Sequence, residues 1–169
     1  KVERGTTVQL CASCNTSGAT VTFYVKEPGN DGYTQHTSEY KKISSTWYYV
    51  ADYSFDTIGT YDIYFTATKD GYSVTSNHKK LTVNKASIPA GEITAPTANS
   101  LTYNGGEQNL IAEGTTTIGT MQYKLGKDGE WSTEIPKATN AGSYDVYYRV
   151  LGNENYNDTK EQKIKCEIK

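Results

Sequence analysis

Apolar and polar residues alternate one for one along much of this chain, the period-two signature of strands whose successive side chains face opposite sides of a sheet. Val8, Leu10 and Ala12 make the inner side of an early strand, and Val21, Phe23 and Val25 that of the next. EPGNDGY (27–33) reads as a turn and STWYYVADYSF (45–55) as a long strand, and in DTIGTYDIYFTAT the residues Ile63, Phe65 and Ala67 share one face. KDGY supplies a turn through its Asp-Gly pair, and Leu81 and Val83 close the set.

Between Asn84 and Ser100 the pattern gives way to NKASIPAGEITAPTANS, with Pro89 and Pro96 and little periodicity. It reads as a stiff connector, part of which pairs as the first edge strand of a second module. The pattern restarts at Leu101: LTYNGGEQNLIAEG predicts a strand, an Asn-Gly turn and a second strand, and GTMQYKL turns Met121, Tyr123 and Leu125 inward. GKDGEW supplies a hairpin, and ATNAGSYDVYYRVLG and TKEQKIKCEIK read as the last two strands, the latter with Ile164, Cys166 and Ile168 on one face. About seven short strands in about 85 residues is the count and spacing of an immunoglobulin-type sandwich. The predicted class is all-β, with two tandem Ig-like sandwiches at 1–85 and 96–169 joined by a short proline-containing linker at 86–95.

One tyrosine-rich phrase occurs twice, GTYDIYFTA at 59–67 and GSYDVYYRV at 142–150. Gly59 aligns with Gly142, Tyr61 with Tyr144, Ile63 with Val146 and Tyr64 with Tyr147, while Trp47 and Trp131 lie a similar distance upstream. Tyr61 and Tyr144 each follow a turn glycine and precede an inward aliphatic by two positions. That is the placement of a tyrosine corner, whose hydroxyl bonds to upstream backbone. Tyr64 and Tyr147 have the opposite parity and point outward, as does Tyr24. Because the strands carrying Tyr24 and Tyr64 are sheet neighbours in such a fold, these two are expected side by side. Tyr24, Tyr64 and Tyr147 are thus candidate glycan-stacking residues, weighed against an ordinary role in stabilising the sheet.

Composition narrows the function. A formal charge of −2 offers no basic field for nucleic acid. No stretch approaches the roughly 20 apolar residues of a membrane-spanning helix, so this segment is not expected to insert in a membrane. The opening KVERGTTVQL lacks the apolar core of a signal peptide, so an exported parent implies an interior fragment. Cys11 and Cys14 form C-A-S-C without a second C-x-x-C or a His pair to complete a metal site, and Cys166 reads as a small inward hydrophobe. His36 and His78 are isolated in sequence, and no nucleophile or phosphate motif appears. GNDGY and GNENYND are explained by turn chemistry rather than by a calcium loop. NTS (15–17) and NDT (157–159) match the glycosylation acceptor pattern. No catalytic residue, metal or cofactor is assigned.

Through LTYNGGEQNLI, GTMQYKLGKDGEW, IPKATNAGSYDVYYRVLGNENYND and the closing lysine-rich strand, residues 92–169 resemble the bacterial Ig-like repeat of the MBG type. The first module resembles, more loosely, bacterial Ig-like domains with an A/G-x-Y-x-I/V strand and a Trp ahead of it. The resemblance implies an extracellular, non-catalytic module pair of a bacterial cell-surface or secreted protein, a stalk or part of an adhesive array. It implies neighbouring repeats and host or dietary glycans or glycoproteins as partners. The alternative expectation is a pair of carbohydrate-binding modules appended to a secreted glycan-degrading enzyme, which needs two or three coplanar exposed aromatics.

Overall fold

The computed structural model describes residues 1–13 and 16–169; Cys14 and the NTS acceptor Asn15 lie outside the described residues. The chain divides into two compact units, Lys1–Lys85 and Ala86–Lys169. It is all-β, and no described helix is long and apolar enough to cross a membrane.

The first unit contains β1 (Val2–Glu3), β2 (Thr6–Ala12), β3 (Thr20–Lys26), β4 (Thr34–Thr37), β5 (Glu39–Ile43), β6 (Thr46–Phe55), β7 (Gly59–Lys69), β8 (Tyr72–Thr75) and β9 (Lys79–Asn84). One sheet runs β1-β9-β7-β3-β4 with β8 also on β7; the other runs β2-β6-β5. Ser38, the one residue between β4 and β5, makes the change of sheet and donates its hydroxyl to Val21 O at 2.6 Å. Alternation decides which side chains the two sheets enclose. Val21, Phe23, Val25, Tyr49, Ala51, Tyr53, Phe55, Tyr61, Ala67 and Val83 are buried, the expected inner faces of a sandwich. Tyr49 is an inner-face ring with a polar end, and its hydroxyl accepts from Ala19 N at 2.9 Å and donates to Thr16 O at 3.1 Å, so nothing polar is stranded.

The second unit contains β10 (Ile93–Thr94), β11 (Thr97–Ala98), β12 (Ser100–Leu101), β13 (Gln108–Asn109), β14 (Ile111–Ala112), β15 (Thr115–Thr116), β16 (Thr120–Leu125), β17 (Lys137–Ala138), β18 (Gly142–Leu151) and β19 (Gln162–Ile168). Its main sheet is β12-β19-β18-β16, supplemented by the short pairs β10-β15, β11-β14 and β13-β17. Leu110, Ile111, Met121, Tyr123, Val146, Val150, Cys166 and Ile168 form its core.

Three details depart from the pattern read along the chain. Residues 86–95 belong to the second unit: Ala86 N donates to Asn155 O at 3.0 Å, Asn157 N donates to Ala86 O at 2.9 Å, and Ile88 and Ile93 pack on the core. Leu101 and Asn109 do not pair across the Asn-Gly turn, because β12 pairs in parallel with β19 while β13 pairs with β17. Leu125, expected inward, is 41% exposed, since β16 ends there and the chain turns at Gly126.

Candidate functional site

The repeated phrase begins with a backbone requirement. Gly59 and Gly142 adopt φ of +128° and +152°, and a Cβ on Gly59 would lie 2.7 Å from Pro28 Cβ. Such a turn takes glycine for steric reasons. Two residues on, the Tyr61 hydroxyl accepts from Thr57 N at 3.0 Å, and that of Tyr144 donates to Asn140 O at 2.7 Å. Each hydroxyl therefore meets backbone four residues upstream. The two differ in depth. Tyr61 is fully buried, with Phe55 edge-on at 4.8 Å and Tyr53 at 6.2 Å, whereas Tyr144 is half-buried.

Tyr24 and Tyr64 are directly opposite each other in the β3-β7 ladder. Their rings stack on one another, centroids 4.7 Å apart and planes within 1°. His78 stacks on Tyr64 at 4.6 Å and 24°. Since β7 lies between β3 and β9, Tyr24 and His78 approach the Tyr64 ring from opposite sides, and both of its faces are covered. Tyr33 adds an edge-on contact to Tyr64 at 5.1 Å and donates its hydroxyl to Asp62 Oδ2 at 3.0 Å. His78 Nδ1 sits 3.0 and 3.1 Å from the two Asp62 oxygens. The rings stand on edge in a row along the sheet and do not lie side by side as a flat surface.

The electrostatics of this cluster give a pH prediction. Desolvation pushes the Asp62 carboxyl up, but hydrogen bonds from His78 and Tyr33 and the charges of His78 and Lys80 outweigh it and leave the group below its ordinary value of 3.8. A carboxyl depressed in the folded state adds stability that is complete above its unfolded value and fades as pH falls through its folded value. Between about pH 5.5 and about pH 3, denaturant unfolding is expected to show the parent losing more stability than Asp62→Asn, which lacks the titrating group. Equal losses would remove Asp62 from the acid response.

Tyr147 lies on the other unit and in a different setting. It is paired across the ladder with Lys124 and Lys163, and the Lys124 ammonium stands 5.2 Å from its ring centroid. Lys124 is also 4.7 Å from the Trp131 ring, and the Arg149 guanidinium is 4.5 Å from it. Both cations are tied down: Lys124 to Glu161 at 3.2 Å and Lys127 O at 2.8 Å, Arg149 to Gln122 Oε1 at 3.0 and 3.1 Å. Trp131 is thereby held over the outer side of the sheet by cation–π contacts, each of about 0.5–2 kcal/mol. The counterpart Trp47 is placed otherwise, so the aligned tryptophans do not share a role.

Trp47 has the inward parity of Tyr49 and Phe55 but is 48% exposed. Tyr40 stacks on it at 4.9 Å and 15°, is 37% exposed, and leans on buried Tyr49 at 4.7 Å. The end of the β5-β6 hairpin therefore leaves inner-face rings uncovered. The Tyr40/Trp47 pair is the exposed aromatic feature that alternation hides, because parity says which face a residue is on and not whether the opposite sheet reaches it.

Among the described residues no three His, Cys, Asp or Glu side chains come together as a metal-binding group. Cys11 is free and exposed, Cys166 free and buried, its thiol pushed up by burial and by Asp145. In GNENYND, Asn153 Oδ1 accepts from Asn155 N and Tyr156 N, and Asp158 Oδ1 from Gly152 N, so these side chains cap their own turn.

No protein-family model matches the chain, and no curated protein matches it. A solved structure of fibronectin(III)-like modules of Clostridium thermocellum CbhA is similar over 99% of this chain and 88% of its own, at 16% identity and a TM-score of 0.34.

Proposed function

We propose that the two units are non-catalytic, extracellular Ig-like modules of a bacterial cell-surface or secreted protein, the second of the MBG type. They act as a spacer or in an adhesive array beside neighbouring repeats. The observation that supports this reading is the mutual stacking of Tyr24, Tyr64 and His78, which directs ring faces at each other rather than at a ligand. A sugar stacks on an open ring face, and Tyr64 has none. The second reading, a carbohydrate-binding module, is favoured by one observation, the exposed Tyr40/Trp47 pair.

Affinity electrophoresis in gels containing starch, mucin, xylan or β-glucan tests both. The spacer reading expects unretarded migration of the parent. Retardation abolished by Tyr24→Thr/Tyr64→Thr, with the fold intact, would defeat it. Retardation abolished by Tyr40→Thr/Trp47→Thr would replace it with the second reading.

A further inference from the structure

β2 is hydrogen-bonded on one side only: among the described residues its sole ladder is with β6. Alternate residues of such an edge strand direct both N–H and C=O outward, a template for another strand. Natural edges are commonly blunted by charge or proline. The other edge of this sheet is, since β5 carries Glu39, Lys41 and Lys42. The β2 sequence, TTVQLCA, has neither over its seven residues.

A groove of about 530 Å³ opens beside this edge, lined by Leu10, Phe23, Ile63, Phe65 and Leu81. Lys79, opposite Ile63, is the cation on its side of the sheet, whereas Lys80 pairs with Asp62 on the outer face; no acidic residue lines the groove. Leu10, Ile63, Phe65 and Leu81 are only half-buried, although they pack on the buried Phe23 or on Val25, Tyr61 and Val83. The core is thus open along this flank. The facing strand is already satisfied there: between the end of β8 and the start of β9, Phe65 N donates to Ser76 Oγ and Ser76 N to Phe65 O, each at 2.9 Å.

We propose that the β2 edge and this groove form a docking site for an extended segment of another polypeptide, added as a strand. The segment is apolar at alternate positions, to fill the groove, and acidic where it passes Lys79. Strand addition uses main-chain hydrogen bonds for affinity and alternate side-chain pockets for selection, and both are present. A second copy of the chain fits less well. Its own β2 carries no acidic residue to meet Lys79, and it would bring a second Lys79.

The test is an NMR titration of the full chain with a synthetic peptide, Thr-Val-Thr-Val-Thr-Val-Asp-Glu. Amide signals of Thr6–Ala12 are expected to shift, and their hydrogen exchange to slow about tenfold at saturation. A peptide of the same charge with proline at alternate positions should leave them unchanged. Lys79→Glu should weaken binding about fivefold and reverse the preference toward a peptide ending in Lys-Lys. Cys11→Lys, which places a charge on the free edge, should abolish binding with the fold intact. Shifts confined to residues outside β2, equal binding of acidic and basic peptides, or no shift at all would overturn the proposal. So would concentration-dependent protection of β2 in the chain alone, which would assign the edge to self-association.

Discussion

Replacing Tyr61 with Ala lowers the stability of the first unit by about 3–5 kcal/mol, whereas Tyr144→Ala costs the second unit about half as much or less. The sequence phrase is the same; the burial is not. Tyr61 is fully buried, between the edges of Phe55 and Tyr53, and deleting the ring opens a cavity lined by aromatic groups that pack in fixed orientations and collapse poorly. Tyr144 is half-buried, so truncation removes less apolar contact and leaves a space that water can enter. Loss of the hydroxyl alone, in Tyr61→Phe, costs about 1 kcal/mol, because Thr57 is exposed and its amide finds water instead. Hydrogen exchange at the slowest amides of each unit reads the two effects separately. Equal losses for Tyr61→Ala and Tyr144→Ala would show that the corner geometry, rather than ring burial, sets the cost.

The largest single hydroxyl effect is expected at Tyr123. Its ring is 1% exposed, and its hydroxyl accepts from Gly114 N at 3.0 Å and donates to Gly114 O at 3.3 Å, both in a buried setting. Gly114 packs so closely that a Cβ would lie 2.7 Å from Pro96 Cδ, leaving little room for water to replace the lost partner. Tyr123→Phe strands both polar groups of Gly114 and costs about 2 kcal/mol, twice the Tyr61→Phe effect; Tyr123→Ala adds the cavity, for about 4 kcal/mol or more. Denaturant unfolding of the two Phe variants compares them. A Tyr123→Phe variant as stable as the parent would mean that the Gly114 backbone is solvated.

The sheet faces were legible because alternation reports parity directly. Val21, Phe23 and Val25 are buried as their spacing implies, and strand order is enough to predict that Tyr24 and Tyr64 are neighbours. Ring orientation was not legible. Whether two adjacent tyrosines lie flat or stand face to face depends on χ angles set by further neighbours, here His78 and Tyr33, which come from turns distant in sequence. Trp47 and Leu125 expose a second limit: both keep inward parity, yet Trp47 lies beyond the cover of the opposite sheet and Leu125 lies where its strand stops. The segment 86–95 shows a third. Its prolines and weak periodicity suit a connector, but Ala86 and Ile88 join the second unit through isolated bonds and contacts, and Ile93 through the two-residue β10-β15 pairing, too short to leave a period to detect.

Whether Tyr24 and Tyr64 serve the sheet they stand on is tested most directly by a double-mutant cycle, with unfolding free energies measured for the parent, Tyr24→Thr, Tyr64→Thr and the double variant. Each single change should cost at most about 1 kcal/mol, the scale of a cross-strand pair. Stacked rings predict a coupling of about 0.5–1 kcal/mol between the two positions. Additive losses, with no coupling beyond error, would contradict the stacking and return both rings to the surface as free faces.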